Sequence, residues 1–234
     1  MFFMIQIIII IYIIMVIYNI IESKKYNIYG KLITIDHISE NLDDFNKHLK
    51  NLHPTIVNIK NNDLYQDIYR ENLDYQFHNQ NIYIKDFLNK EHISIYKDKH
   101  IIQDLQITIP LVSHYIDNSY LYPINYSLSM IKGNSMIPLQ RCNHDYNIIG
   151  HINGDSIIYL FNPKHKHEII SKSLDNSYDS IKKWGTKIIM KHNDVLFIPM
   201  NWYYIQDIHN QCIQYHIDID TCFSCIPNFF KYNI

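Results

Sequence analysis

Fourteen histidines are spread along the 234-residue chain, beside only two arginines, Arg70 and Arg141. Imidazole is the commonest metal ligand and titrates near neutral pH, so clusters of histidine with carboxylate or thiol come first. His144 and Asp145 are adjacent, and His165-x-His167 has same-face spacing if extended. His209 and His216 fall on the last apolar runs, and Cys222-x-x-Cys225 has redox or metal half-site spacing. Each has a plainer reading. Neighbours on a strand point to opposite faces, so His144 and Asp145 could turn inward together only from a loop. With so many histidines, chance pairs are expected, and surface or loop histidines are the preferred reading. A single CxxC near the C-terminal end reads first as two free thiols. With Cys142 and Cys212 the chain has four cysteines, too few for a dense disulfide framework.

Composition narrows the function classes. Net charge is −2, the isoelectric point is near 6.7, 47% of residues are apolar and 19% charged. A packed core is therefore expected and wholesale disorder excluded. The missing basic field and the scarcity of arginine argue against a nucleic-acid partner. A mass of 28.2 kDa suits one domain. There are 48 Ile, 25 Asn and 20 Tyr, and no Ala. We read this as AT-rich coding bias, of the kind found in some protists and large DNA viruses, and discount propensity arguments accordingly.

Residues Phe2 to Ile21 form an apolar run broken only by Gln6 and Asn19. As a helix it would span roughly 30 Å, the thickness of a bilayer's hydrocarbon core. A cleaved signal peptide would need a basic start, a shorter core and a small-residue cleavage site, and none is present. The expectation is a membrane anchor over 1–21, a tether over 22–31, one domain over 32–220 and a tail over 221–234. Lys24, Lys25 and Lys31 follow the run, which places the body on the cytoplasmic side of a host or virion membrane. The Asn125-Tyr126-Ser127 sequon falls in a predicted strand and is read as chance.

The body opens with a predicted helix over Ile38 to Leu52, with Ser39 as N-cap and Leu42, Phe45 and Leu49 at helical spacing. His53-Pro54 stops it, and Thr55 to Ile59 reads as a strand. Ile82 to Leu88 alternates like a strand before a short helix near Asp86. Short predicted strands then follow: Tyr126–Ile131, Ile148–Ile152, Ile157–Phe161, Lys187–Met190, Val195–Ile198, Tyr203–Ile208 and Ile213–Ile219. Asn153-Gly154-Asp155 between two of them is a hairpin cue, and Lys132-Gly133-Asn134 is a second turn. About eight short strands predict a closed or sandwiched antiparallel sheet.

Two stretches in this half resemble the cupin-like JmjC family. One is Asn147-Ile-Ile-Gly-His-Ile-Asn-Gly154 leading to Leu160-Phe-Asn-Pro163; the other is Asp194-Val-Leu-Phe-Ile-Pro199 leading to Trp202-Tyr-Tyr204. Phe45 to Ile59 is similar to the family's entry helix and strand, and the ordered resemblance covers about residues 32–220. It implies a double-stranded β-helix, a jelly roll with N-terminal helices. In active members it implies Fe(II) on a His-x-Asp…His triad beside 2-oxoglutarate. Here the triad positions fall on Arg141 and Asn143 in one register, or Gln140 and Cys142 in another, with Tyr204 in place of the distal His. The cosubstrate lysine position falls on Ser156. Arginine offers no lone pair and a tyrosine is a neutral phenol at pH 7, so neither makes the anionic and imidazole sphere that Fe(II) takes. The retained residues Asn147, Gly154, Pro163, Asp194, Pro199 and Trp202 have an architectural reading: turn geometry for the glycine, strand termination for the prolines and barrel packing for the tryptophan.

The resulting expectation is a membrane-anchored, catalytically inactive module without a cofactor, binding a protein or small molecule at the barrel mouth or serving a structural role. One rival is an active Fe(II)- and 2-oxoglutarate-dependent hydroxylase that uses displaced ligands, His144, Asp145 and His216. The other is a structural membrane protein of a large DNA virus.

Overall fold

The computed structural model describes residues 2–28, 37–39, 53–58, 74–76, 83–89, 95–98, 100, 104, 121–174 and 178–221. The strands are β1 (His37–Ser39), β2 (Thr55–Asn58), β3 (Ile95–Asp98), β4 (Leu121–Ile131), β5 (Ser135–Arg141), β6 (Tyr146–Asn153), β7 (Ser156–Phe161), β8 (Thr186–Met190), β9 (Asp194–Pro199), β10 (Tyr203–Ile208) and β11 (Cys212–Thr221). They form a large sheet, ordered β1-β2-β9-β6-β11-β4-β3, and a small one, ordered β5-β10-β7-β8. The β1–β2 pair is parallel and the other pairs are antiparallel. Consecutive strands from β4 to β7 alternate between the sheets, which is the winding of a jelly roll.

Alternation along each strand assigns its faces. On β11, Gln214, His216, Asp218 and Asp220 point into the barrel, while Tyr215, Ile217 and Ile219 lie on the outer face. Both sets are buried, so the outer face of the large sheet is covered too. Between the sheets, Ile56, Ile149, Leu196 and Ile198 meet Ile158, Leu160, Ile188 and Met190. Outside the small sheet, Phe161, Tyr203 and Ile205 pack against Ile169 and Ile181. These two belong to helices α3 (Lys166–Leu174) and α4 (Tyr178–Lys182), which follow a 3-10 turn at Pro163–His165. Burying one such side chain stabilises by about 2–3 kcal/mol.

Turn chemistry follows from composition. With five glycines available, asparagine takes three of the four left-handed positions among the described residues: Asn134, Asn193 and Asn201 have φ of 58°, 67° and 69°. Asparagine tolerates that left-handed region better than most residues. Gly154, at φ 80°, lies against the backbone of Gln211, where a Cβ has no room.

Several expectations are corrected. Asn153-Gly154-Asp155 and Lys132-Gly133-Asn134 are turns, but neither closes a hairpin. Each carries the chain from one sheet to the other, so the flanking strands pair elsewhere. Ile38 and Ser39 lie in β1, held by parallel pairing of Ile38 with Val57 and Ser39 with Asn58, and do not begin a helix. Residues 40–52 of that predicted helix lie outside the described residues, as do Cys222 and Cys225. The short helix expected near Asp86 is α2 (Ile84–Asn89), which takes Ile84 and Lys85 from the run that alternates like a strand. Ser135–Arg141, not predicted as a strand, is the edge strand β5. Its Pro138 lacks the N–H of an inner ladder, which an edge tolerates.

The N-terminal run is helical over Phe2–Ile28 (α1), and α1 contacts the 3-10 turn. Its described side chains run from Ile5 to Tyr18, and all but Met15 and Val16 are exposed. Among the described residues no helix is long and apolar enough to cross a membrane.

Candidate functional site

The triad region sits where the end of β5 meets the start of β10. Gln140 lies opposite Tyr204 and Arg141 opposite Tyr203. Strand alternation therefore puts Gln140 on the Tyr204 side, towards the barrel, and Arg141 on the outer side. The Arg141 Nη2 donates to Asn201 Oδ1 at 2.6 Å, and the guanidinium lies 6.0 Å from the centre of the Tyr203 ring. Cys142, just beyond the strand, is fully buried with Trp202 and Tyr204 in the inter-sheet core. Its N–H donates to Trp202 O and its carbonyl accepts from Asn201 N–H, both at 2.8 Å. Asn143 is half-buried in the loop that follows. The first register, which set Arg141 and Asn143 in the triad, thus disagrees with the strand's facing. Cys142 and Tyr204 fill that end of the barrel as packing residues.

His144 and Asp145 do share a loop, between β5 and β6, but both are drawn to the end of β11. His144 Nδ1 lies 3.1 Å from Asp220 Oδ2, and Nε2 lies 3.9 Å from Asp218 Oδ2. Burial opposes its charge, but the Asp220 hydrogen bond and the fields of Asp218, Asp220 and Asp145 outweigh it and raise its pKa above 6.5. Asp145 is buried; its N–H donates to Asp220 Oδ1 at 3.1 Å and its Oδ2 accepts from Thr221 N–H at 2.8 Å. Asp218 also accepts from Asn125 and Asn147, which ties the sequon asparagine into the barrel. His216 lies deeper, bonded to Gln214. The structure therefore does not bring His144, Asp145 and His216 together, and among the described residues no three His, Cys, Asp or Glu side chains are grouped to hold a metal. His165 faces Glu168, and His167 and His209 are exposed.

At the other end of β6 lies a polar chain that sequence reasoning missed. His151 Nδ1 faces the Gly154 carbonyl at 3.3 Å, so Nδ1 carries the proton and Nε2 accepts from the Ser156 hydroxyl at 3.1 Å. Ser156 Oγ accepts from Gln206 Nε2 at 2.8 Å, and the same amide reaches Gln214 Oε1 at 2.7 Å. Gln214 Nε2 returns to Gln206 Oε1 at 3.2 Å and reaches His216 Nε2 at 3.0 Å. Cys212 lies alongside, 3.8 Å from Gln214 Oε1. Every member is at most 4% exposed. Burial pushes His151 down to about 4 and the Cys212 thiol up to about 12, so the imidazole is neutral and the thiol unreactive at pH 7. Ser156, at the cosubstrate lysine's position, is thus an internal link in this chain. A signal was legible: Gln214-x-His216-x-Asp218-x-Asp220 puts four polar residues on one face of a strand whose other face is Ile and Tyr.

The retained residues keep structural roles. Asp194 accepts from Lys191 N–H at 2.8 Å and Asn58 Nδ2 at 2.7 Å. Asn147 donates to Asp218, Asn162 caps the turn opened by Pro163, and Pro199 ends β9.

No family model matches the chain, and no characterised protein matches it by sequence. Solved structures do. A cupin superfamily protein from Desulfitobacterium hafniense is 10% identical over 43% of this chain and 77% of its own, with TM-score 0.30. A Photorhabdus luminescens protein is 11% identical over 50% and 76%, with TM-score 0.31. A point mutant of salicylate 1,2-dioxygenase from Pseudoaminobacter salicylatoxidans, in complex with gentisate, is 7% identical over 42% and 20%, with TM-score 0.29. The order of the strands in the two sheets is what establishes the architecture: this chain folds as a jelly roll of two mainly antiparallel sheets.

Proposed function

We propose that the chain is a membrane-tethered, non-catalytic module of the cupin-like fold, related to JmjC domains, whose partners meet its outer surface. One observation carries this reading. The barrel interior is occupied by the protein's own groups, with Cys142 and Tyr204 packed at one end and the His151–Ser156–Gln206–Gln214–His216 chain satisfying itself at the other. Such a network has little hydrogen-bonding capacity to offer a cosubstrate. The exposed apolar side chains of α1 and the run Phe2 to Ile21 support insertion in a bilayer. The lysines after the run favour a cytoplasmic body.

Two measurements test the reading. Full-length protein should remain in the membrane pellet after alkaline carbonate extraction. Anaerobic Fe(II) with 2-oxoglutarate should produce no metal-to-ligand charge-transfer band and no succinate. Stoichiometric iron, with succinate release abolished by His144→Ala, would overturn the non-catalytic reading in favour of displaced ligands.

A further inference from the structure

The cations are segregated. Residues 163–192 carry seven lysines against Glu168, Asp175 and Asp179, a net of +4. The whole chain is −2, so everything else sums to −6. Lys182 is engaged internally, 2.7 Å from Asp207, but Lys164, Lys166 and Lys183 are exposed. Among them stands Trp184, 49% exposed. Its ring is held in place: the Lys172 ammonium lies 4.8 Å from its centre, and the His165 ring packs at 5.8 Å, tilted 57°. His165 ends the 3-10 turn that α1 contacts. The cationic segment and its exposed indole are thus continuous with the helix proposed to enter the bilayer.

We propose that this face, Trp184 with Lys164, Lys166, Lys172 and Lys183, docks on the anionic surface of the bilayer that holds α1. The inference rests on the membrane-tethered reading. Indole rings concentrate at the headgroup level, with the apolar body inward and the N–H wet. Each lysine near an anionic leaflet strengthens attachment about fivefold, within a Debye length. The acids described at the patch are Glu168, bonded to His165, and Asp179, paired with Lys182, which leaves the other lysines in excess. Lysine without arginine suits diffuse headgroup charge better than bidentate phosphate reading. The positive-inside orientation turns the face toward the leaflet that carries anionic lipid.

The experiment uses the full chain reconstituted in phosphatidylcholine vesicles with or without phosphatidylserine, with brominated lipid as quencher. The chain's other tryptophan, Trp202, is buried. Emission should be quenched at least twofold more with phosphatidylserine, and Trp184→Phe should remove that increment. Lys164→Glu with Lys166→Glu and Lys183→Glu should abolish it without altering the unfolding transition. Equal quenching in both lipids, or an increment that survives Trp184→Phe, would overturn the proposal. If carbonate strips the full chain, the anchor reading fails, and flotation of added protein with phosphatidylserine vesicles decides the surface. Flotation at least tenfold weaker in the triple charge reversal upholds it, and unchanged flotation overturns it.

Discussion

His144 and His151 stand seven residues apart, at opposite ends of β6, and their surroundings move them in opposite directions. His144 lies among Asp145, Asp218 and Asp220, whose charges favour the imidazolium over the cost of burial. His151 is more deeply buried and meets a hydroxyl, a carbonyl, an amide and a thiol, all neutral, so burial decides. The same side chain is a charge holder at the barrel's rim and an uncharged linker in its interior. Depth and partners together separate the two.

Breaking the neutral chain should have the larger effect. Gln214→Leu leaves both ends of the Gln206 amide and His216 Nε2 short of a partner. Urea unfolding should show a loss of about 4 kcal/mol. Adding Gln206→Leu should cost less than the sum of the single changes, by about 1–2 kcal/mol, since the two amides chiefly satisfy each other.

Acid should act next. The folded chain protonates His151 less readily than the unfolded chain. The unfolded state therefore gains protons from pH 6.5 downward, and stability falls until about pH 4. The loss is about 3 kcal/mol, and His151→Gln should flatten that limb of the stability curve.

The rim should respond least and in the opposite sense. The ion pairs of His144 contribute fully below pH 6.5 and fade as pH rises through its raised folded value. His144→Gln should cost roughly 1 kcal/mol at pH 6, with the difference shrinking toward alkaline pH. A larger cost at high pH would show that His144 acts through packing alone.

Much of the strand half was legible because both faces of its strands are apolar or alternate cleanly, as in Ile157–Phe161 and Ile213–Ile219. What was not legible depended on tertiary pairing. Ser135–Arg141 hides a strand behind Pro138 because an edge asks less of its N–H groups. Ser39 looks like a helix cap, yet the β1–β2 ladder claims it. The Asn-Gly turn encodes reversal, not the partner of either flanking strand. At the candidate site, Gln140, Cys142, Tyr204 and Ser156 are identifiable as departures from a motif. Whether a departure leaves a hole or is packed over depends on neighbours such as Trp202 and Gln206, which only the fold brings near.

Strand β11 lies between β4 and β6, so the last described strand of the chain is an inner strand of the large sheet. Its ladder to β4 joins Thr221 to Leu121, a separation of the kind that slows folding. Until residues 212–221 leave the ribosome, β4 and β6 each present an unpaired edge of N–H and C=O groups, open to pairing with another chain. The N-terminal helix emerges long before that. The barrel would thus still be open when the N-terminal helix is already outside the ribosome, and the last strand would act as its closing element. A nascent chain halted before Cys212 should be sensitive to protease and prone to aggregate, and one released after Thr221 should be neither.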